Sequence, residues 1–322
     1  MSQNKALYVI TGVAGFIGSA LARAVLAQGD QVRGVDDLST GKPENITEIL
    51  EQVDFREIDI NDAGKMSAAC RGADYVLHQA AIASVPRSVR DPERSNRANV
   101  DGTLAVLMAA RGAGVKRVVY AASSSAYGDN PAQPKQEDML PAPVSPYAVA
   151  KLAGEYYMRS FWKCYSLETV SLRYFNIFGP RQDPTSQYAA VFAKFITSML
   201  AGKQPSIFGD GEQSRDFTYI DNCVSANLLA CTAPAEKCAG RVFNVGIGER
   251  HSVREVFELV KKHTGYKGEP AFAEQRAGDV KHTQADISAI RAALGYKPLV
   301  GFEEGVKWTV EWYRQQTKAA KS

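Results

Sequence analysis

The stretch SPYAVAK, residues 145 to 151, sets a tyrosine and a lysine four positions apart at the start of a helix-like run. Ser145 suits an N-cap, Pro146 suits the first helical position, and AVAKLAGEYYMRSFW keeps helical periodicity, so Tyr147 and Lys151 share one face. A phenol is a poor base at neutral pH because its reference pKa is about 10. An ammonium about 4 Å away in a partly screened site favours the phenolate by roughly 4 kcal/mol, about three pKa units. The pair therefore predicts a general base near neutrality, aimed at a hydroxyl proton. About twenty residues upstream, YAASSSAYG ends a predicted strand. The carboxyl edge of that strand would present a serine able to hold a substrate hydroxyl and relay its proton.

A second constellation concerns phosphate. GVAGFIG, residues 12 to 18, follows the first predicted strand and opens the first helix, with Gly12, Gly15 and Gly18 in a GxxGxxG spacing. One glycine must turn tightly, one must let a pyrophosphate approach the backbone, and one must let helix and strand pack closely; the helix N-terminus adds positive potential. At the end of the second strand stands Asp36, 18 residues beyond Gly18. A carboxylate there can accept both hydroxyls of an adenosine ribose and would repel a 2′-phosphate, which favours NAD over NADP, while the nearby Arg33 leaves NADP open. A nicotinium charge would add to that of Lys151.

These residues need a scaffold, and the first half of the chain supplies one. ALYVIT, QVRGVD, VDFREID, ADYVLHQA and KRVVYAAS read as short apolar strands separated by helices, among them FIGSALARAVLAQG and a long one through NVDGTLAVLMAARGAG. Such alternation predicts right-handed crossovers and a parallel, doubly wound sheet, extended by the SPYAVAK helix and the strand ETVSLRYF. After residue 180 the rhythm changes, with more loop, a helix through YAAVFAKFITSMLAG and a final helix through EEGVKWTVEWYRQQ. The expected division is 1–180 for a dinucleotide-binding domain and 181–322 for a smaller substrate-binding domain, with VFNVG (242 to 246) returning as a strand to the first sheet. The cleft between the two lobes is where ligands of such sheets bind.

Bulk properties exclude several classes. With 38 basic against 35 acidic residues and a net charge of +3 over 322 residues, there is no basic patch suited to nucleic acid. The apolar runs fall short of a membrane span, and the N-terminus lacks the pattern of a secretory leader. Five cysteines form no CxxC and leave an odd one over, which predicts a reduced, cytoplasmic protein without a disulfide framework. Four widely spaced histidines show no zinc spacing, and no metal is expected.

The GxxGxxG loop, Asp36, the SSS...YG segment and YxxxK, in this order, resemble the extended short-chain dehydrogenase/reductase family over essentially the whole chain. HQAAIASVPRS (78 to 88), RYFNIFGPRQ (173 to 182), GDGEQSRDFTYIDN (209 to 222) and RAGDVKHTQADIS (276 to 288) are similar to segments of the nucleotide-sugar 4-epimerases, particularly those acting on UDP-N-acetylhexosamines. The resemblance implies an α/β fold, a doubly wound parallel Rossmann sheet with a smaller α/β C-terminal substrate-binding domain, and NAD as cofactor. It implies Ser123, Tyr147 and Lys151 as catalytic set, with Ser124 the alternative inward serine. Phe16, Ile17, Asp37, Leu38, Ser39, Asp59, Ile60, Ala80, Ala81, Asn99 and Tyr174 would line the NAD site beside Gly12, Gly15, Gly18, Asp36, Tyr147 and Lys151. Ser84, Ser123, Ser124, Tyr147, Asn176, Arg215, Arg276 and Asp279 would bind the UDP-sugar, with the forked guanidinium groups suited to a diphosphate.

Related dehydratases and decarboxylases carry carboxylates where this chain has Ser123, Ser124 and Ser125, so elimination has no proton donor here. The expected reaction is C4 epimerisation through a 4-keto sugar, on UDP-GlcNAc/UDP-GalNAc and also UDP-glucose/UDP-galactose. Thr283 stands where a bulky tyrosine accompanies non-acetylated substrates in the resembling enzymes. Arg87 and His282 leave a UDP-uronic acid open. An NAD(P)-dependent nucleotide-sugar reductase is a further alternative, and a catalytically silent sensor the reading from another class. The resemblance also implies a homodimer built on the helices through NVDGTLAVLMAARGAG and AVAKLAGEYYMRSFW.

Overall fold

Seven short apolar runs become seven parallel strands. In the computed structural model, which describes residues 5–184, 191–274 and 281–319, these are β1 (Leu7–Thr11), β2 (Gln31–Asp36), β3 (Val53–Glu57), β4 (Tyr75–His78), β5 (Arg117–Ser123), β6 (Glu168–Tyr174) and β7 (Arg241–Val245). They form one sheet in the order β7-β6-β5-β4-β1-β2-β3. The strand order reverses between β1 and β4, so the loops leaving these two strands part and open a crevice at the carboxyl edge. Central strands such as β4 and β5 are buried almost throughout, as parallel strands covered on both faces must be. The VFNVG strand, β7, closes the sheet by pairing in register with β6, Asn244 opposite Arg173.

The principal helices are α1 (Phe16–Ala27), α2 (Ala63–Cys70), α3 (Gly102–Gly112), α4 (Pro146–Tyr165), α5 (Val191–Leu200), α6 (Ile220–Thr232), α7 (Val253–Thr264) and α8 (Phe302–Ala319). Leu21 and Val25 of α1 and Ala226 and Ala230 of α6 pack on Ile10, Leu77 and Val119 from one side of the sheet. Met66 of α2, Leu107 of α3 and Phe161 of α4 cover Val9, Val76 and Val118 from the other. A third core of Phe178, Phe192, Phe195, Phe257 and Phe302 holds α5, α7 and α8 together.

One element departs from the simple periodic reading. The run expected as one regular helix through NVDGTLAVLMAARGAG is a π turn over Arg97–Asp101, followed by α3 and preceded by a short helix, Pro92–Asn96. The wider turn carries Asn99, which is buried and bonded to the backbone of Ile82. Such bulges collect at functional sites.

Helix α4 follows its sequence signals closely. Ser145 Oγ accepts the Ala148 N–H at 3.2 Å, Pro146 takes the first turn, and Ser166 ends the helix in a left-handed conformation. Its inner face carries Lys151 and Glu155. Glu155 receives Arg173 of β6 through two parallel N–H bonds, Nε to Oε1 at 2.9 Å and Nη2 to Oε2 at 2.8 Å, and both side chains are essentially dry. Arg117 has a comparable structural task, donating to the carbonyls of Ala230, Cys231 and Ala233 at the end of α6 while pairing with Glu168. Among the described residues no helix is long and apolar enough to cross a membrane, and all five cysteines are free. Removing Glu155 strands the Arg173 guanidinium in the core, so Glu155→Ala should cost about 3–5 kcal/mol. Urea denaturation should show it as a lower midpoint with an unchanged slope, and a loss below ~1 kcal/mol would contradict a buried, structural pair.

Candidate active site

The glycine loop divides its work as the spacing predicts. Gly12 adopts φ +71°, donates its N–H to the Val35 carbonyl at 2.7 Å, and faces the chain leaving β4 so closely that a Cβ would lie 2.8 Å from Ala80 N. A Cβ on Gly18 would lie 2.0 Å from Gly12 O, which makes Gly18 the contact that seats α1 on its strand. Gly15 stands at the N-cap of α1 and opens on a cleft of about 200 Å³. Asp36, Asp37, Ser39, Asp59, Ile60, Ala80 and Ala81 also line this cleft, joined by Thr40, Arg94 and Arg97, which the motifs did not single out.

Asp36 is held by two backbone donors, Ala14 N–H to Oδ2 and Leu38 N–H to Oδ1, both at 2.9 Å. Burial nonetheless raises its pKa, the two N–H bonds opposing that rise. Leu38 lies just outside the cleft at φ +56°. Phe16 and Ile17 begin α1 and pack toward the third core. A glycine cradle at a helix N-terminus and a carboxylate at the end of β2 fit the pyrophosphate and ribose of a dinucleotide. Arg33, which left a 2′-phosphate open, is committed elsewhere: its guanidinium bonds Asp54 Oδ2 at 2.7 Å and the carbonyls of Ala69 and Arg71.

The catalytic candidates meet at the end of β5. Ser123 is its last residue, and of the three serines it is the one beside the Tyr147 phenol. Ser123 Oγ accepts from Ser125 N–H and Ser125 Oγ–H, at 3.2 and 2.9 Å, which leaves its own proton to donate. Lys151 Nζ donates to Ala121 O at 2.8 Å and sits 4.9 Å from the centre of the Tyr120 ring. The expected lowering of the Tyr147 pKa draws on Lys151 together with a bound nicotinium; in the protein alone burial dominates. Burial raises the Tyr147 pKa, with the Ser123 hydroxyl as a partial offset. Burial likewise pushes Lys151 down to about 7, opposed by Glu155 one turn along the helix. A dry site penalises phenolate and ammonium alike.

Two positioning groups escaped the sequence reading. Ser88 Oγ, donating to Val85 O at 2.7 Å, also accepts the Tyr147 backbone N–H at 3.0 Å and so fastens the helix Val85–Arg90 to the start of α4. His78, at the end of β4, lies between Thr11 Oγ1 at 2.7 Å and Thr103 Oγ1 at 3.0 Å. Thr103 donates to Asn99 O, so it accepts from His78 Nε2–H and Nδ1 takes the Thr11 proton. Burial, with the charge of Lys151, pushes His78 down to about 3, and the imidazole is neutral. Neither residue has a spacing that announces it. Tyr174 Oη meets Gln79 Oε1 at 3.1 Å and the Asn227 amide, a neutral bridge between the ends of β4 and β6 and α6.

The substrate candidates come from both halves of the sequence. Ser84 caps the helix Val85–Arg90 through the Arg87 N–H. Asn176, exposed at φ +38°, donates to Asp216 O. Ser124 opens the short turn after β5. Arg215 and Thr283 are register partners in a small sheet formed by Ser214–Arg215 between His282–Thr283 and His251–Ser252. Arg276 and Asp279 lie outside the described residues. The positive charges of Arg250, Lys281 and Arg215 all act on His282, a basic cluster of which Arg250 lies outside the quoted motifs. Among the described residues no group of three His, Cys, Asp or Glu is arranged to hold a metal.

Residues 8–246 match the NAD dependent epimerase/dehydratase family. The chain belongs to that family. Its cofactor is NAD. This family member is 40% identical over 314 residues to a UDP-glucose 4-epimerase of Mycolicibacterium smegmatis, covering 96% of this chain and 99% of that one. It is 34% identical to a UDP-glucuronate 4-epimerase of Thermodesulfobacterium geofontis, over 98% of each chain. A solved structure of the UDP-N-acetylglucosamine 4-epimerase from Methanobrevibacter ruminantium, in complex with UDP-N-acetylmuramic acid, superposes with a TM-score of 0.91 at 40% identity, over 98% of this chain and 100% of that one.

The buried lysine has a measurable consequence. Folding lowers the Lys151 pKa from 10.5 to about 7. Between those values the unfolded chain binds more protons than the folded one, so this group makes stability rise with pH and exerts its full penalty below pH 7. Chemical denaturation of Lys151→Met beside wild type should show the difference moving in favour of wild type by on the order of 4 kcal/mol between pH 6 and pH 10.5. A difference independent of pH would place the ammonium in solvent.

Proposed function

We propose that this protein interconverts the C4 epimers of a UDP-sugar. The observation that carries the reading is the meeting of Ser123, Tyr147 and Lys151 at the carboxyl edge of the sheet, beside the dinucleotide cradle, in a turn that offers no carboxylate for elimination. Tyr147 Oη takes the proton of the sugar 4-hydroxyl, and Ser123 Oγ, with its proton free, holds that hydroxyl and passes the proton on. NAD, held by the glycine cradle and Asp36, would supply when bound a reversible hydride acceptor for C4 and a positive charge. Lys151 supplies further positive charge, favouring the phenolate form in which Tyr147 accepts that proton. Arg215 holds the diphosphate, so binding energy from the UDP retains the 4-keto sugar while it turns over. Tyr147 then returns the proton.

The substrate pair we favour is UDP-GlcNAc/UDP-GalNAc, with UDP-glucose/UDP-galactose also accepted. Thr283 is small, lies opposite Arg215 in the register, and has a buried Oγ1 that finds no partner among the described residues. A UDP-uronic acid is the second reading, favoured by the exposed Arg87 beside Ser84 and by the basic cluster around His282.

NMR of the anomeric protons, with purified protein and no added cofactor, separates these readings. UDP-GlcNAc should give UDP-GalNAc at least as fast as UDP-glucose gives UDP-galactose, and turnover of only uronic sugars would select the second reading. Tyr147→Phe should lower turnover by on the order of 10³-fold with UDP affinity retained. Wild-type turnover in that variant would overturn the mechanism.

We also propose a homodimer through α3 and α4. Met108, Val149, Tyr156 and Tyr165 are each roughly half exposed along these helices, an apolar face with no cover in the single chain. Light scattering at micromolar concentration should give twice the 35.0 kDa chain mass, and a single-chain mass would exclude this interface.

A further inference from the structure

Asp216 follows Arg215 directly, yet its side chain points away from solvent altogether. Its carboxylate accepts three backbone N–H groups: Ile247 to Oδ1 at 2.9 Å, Gly248 to Oδ2 at 3.0 Å and Ala285 to Oδ2 at 3.2 Å. Thr218 Oγ1 lies 3.4 Å from Oδ1. Among the described residues no lysine, arginine or histidine forms an ion pair with it. The pocket is shaped for this group, because a Cβ on Gly246 would lie 2.7 Å from Asp216 Oδ2. The Asp216 backbone N–H is spent on Thr283 O at 2.8 Å, and its carbonyl receives Asn176 Nδ2.

The three donors belong to two separate segments. Ile247 and Gly248 follow β7, the last strand of the central sheet, and Ala285 lies two residues beyond Thr283. A charged oxygen pair with only donors around it is a strong knot, since every lone-pair contact is satisfied by backbone that has no rotamer freedom. We propose that Asp216 is a positioning residue, whose carboxylate locks the strand bearing Arg215 to the strand bearing Thr283 and to the end of the central sheet, so fixing where the UDP diphosphate is gripped relative to the reacting carbon. The proposal rests on the reading of Arg215 as a diphosphate ligand. It explains why the site needs an acceptor-only group here. An asparagine would replace one acceptor oxygen by an amide nitrogen that faces backbone N–H groups.

The test measures UDP affinity by calorimetry and steady-state kinetics with UDP-glucose and UDP-GlcNAc, on the full chain as purified. Asp216→Asn should weaken UDP binding and raise KM about tenfold or more, with a smaller fall in kcat and an unchanged content of copurified NAD. In an Arg215→Ala background the same substitution should have little further effect on UDP affinity, which a merely destabilising change would not reproduce. Should Asp216→Asn fail to fold, Gly246→Ala displaces the carboxylate without removing its charge and should raise KM in the same direction. UDP affinity that falls with Arg215→Ala but stays at the wild-type value with Asp216→Asn or Gly246→Ala would overturn the proposal. Equal additive losses in the double variant would overturn it too. Unchanged affinity in Arg215→Ala alone would instead defeat the diphosphate reading on which it rests.

Discussion

Charge is expensive at the carboxyl edge of this sheet, and the arrangement of the site follows from that constraint. The same burial that raises Tyr147 lowers Lys151 and His78 and lifts Asp36. Each polar group is therefore compensated by hydrogen bonds drawn from rigid backbone or from neighbours that are themselves fixed. Lys151 is tied to Ala121 O, His78 lies between two threonines, and Asp36 caps two backbone N–H groups. Such a site can distinguish protonation states sharply, because a positive charge brought in with a ligand meets little water to screen it.

The reversal of strand order between β1 and β4 decides which of these groups meet. The loops after β1, β2 and β4 diverge around the cradle, and β5 delivers Ser123 beside it, while α4 returns Tyr147 and Lys151 along the adjoining strand. Pairing of β7 with β6 then brings a segment from far along the chain to the same edge. Through Gly246 to Gly248 that segment reaches the small sheet that carries Arg215 and Thr283. Ser88 makes a similar link on the other flank, joining the loop that holds Ser84 to the first turn of α4. Both ends of the cleft are thus fastened to the central sheet by short polar contacts.

Much of this was legible because it depends on local signals. Ser145 and Pro146 announced α4, the three glycines announced the turn into α1, and the apolar runs announced the strands of the sheet. The contributions of Ser88, His78 and Asp216 were not legible. Each acts on a partner distant in the chain, and its residue type has many ordinary uses. The burial of Tyr147 was not legible for a related reason. Spacing along a helix gives the distance between two side chains but says nothing of how much water surrounds them. The π turn was hidden because its composition, RANVD, is compatible with an ordinary helix, and only the backbone reveals the extra residue.

That extra residue separates two angular settings along one continuous rod. Each residue of an α-helix advances about 100° around its axis, so one residue accommodated in a wider turn gives the segment before it a phase that the segment after it does not inherit. Upstream, Ser95 bonds the Asn99 amide; downstream, Thr103 meets His78 and Leu107 packs on the sheet. The cofactor-side and sheet-side faces of the rod can each keep their own side-chain pattern without conflict. Removing one residue between 97 and 101 would leave a helix of ordinary appearance whose two faces could no longer both be satisfied.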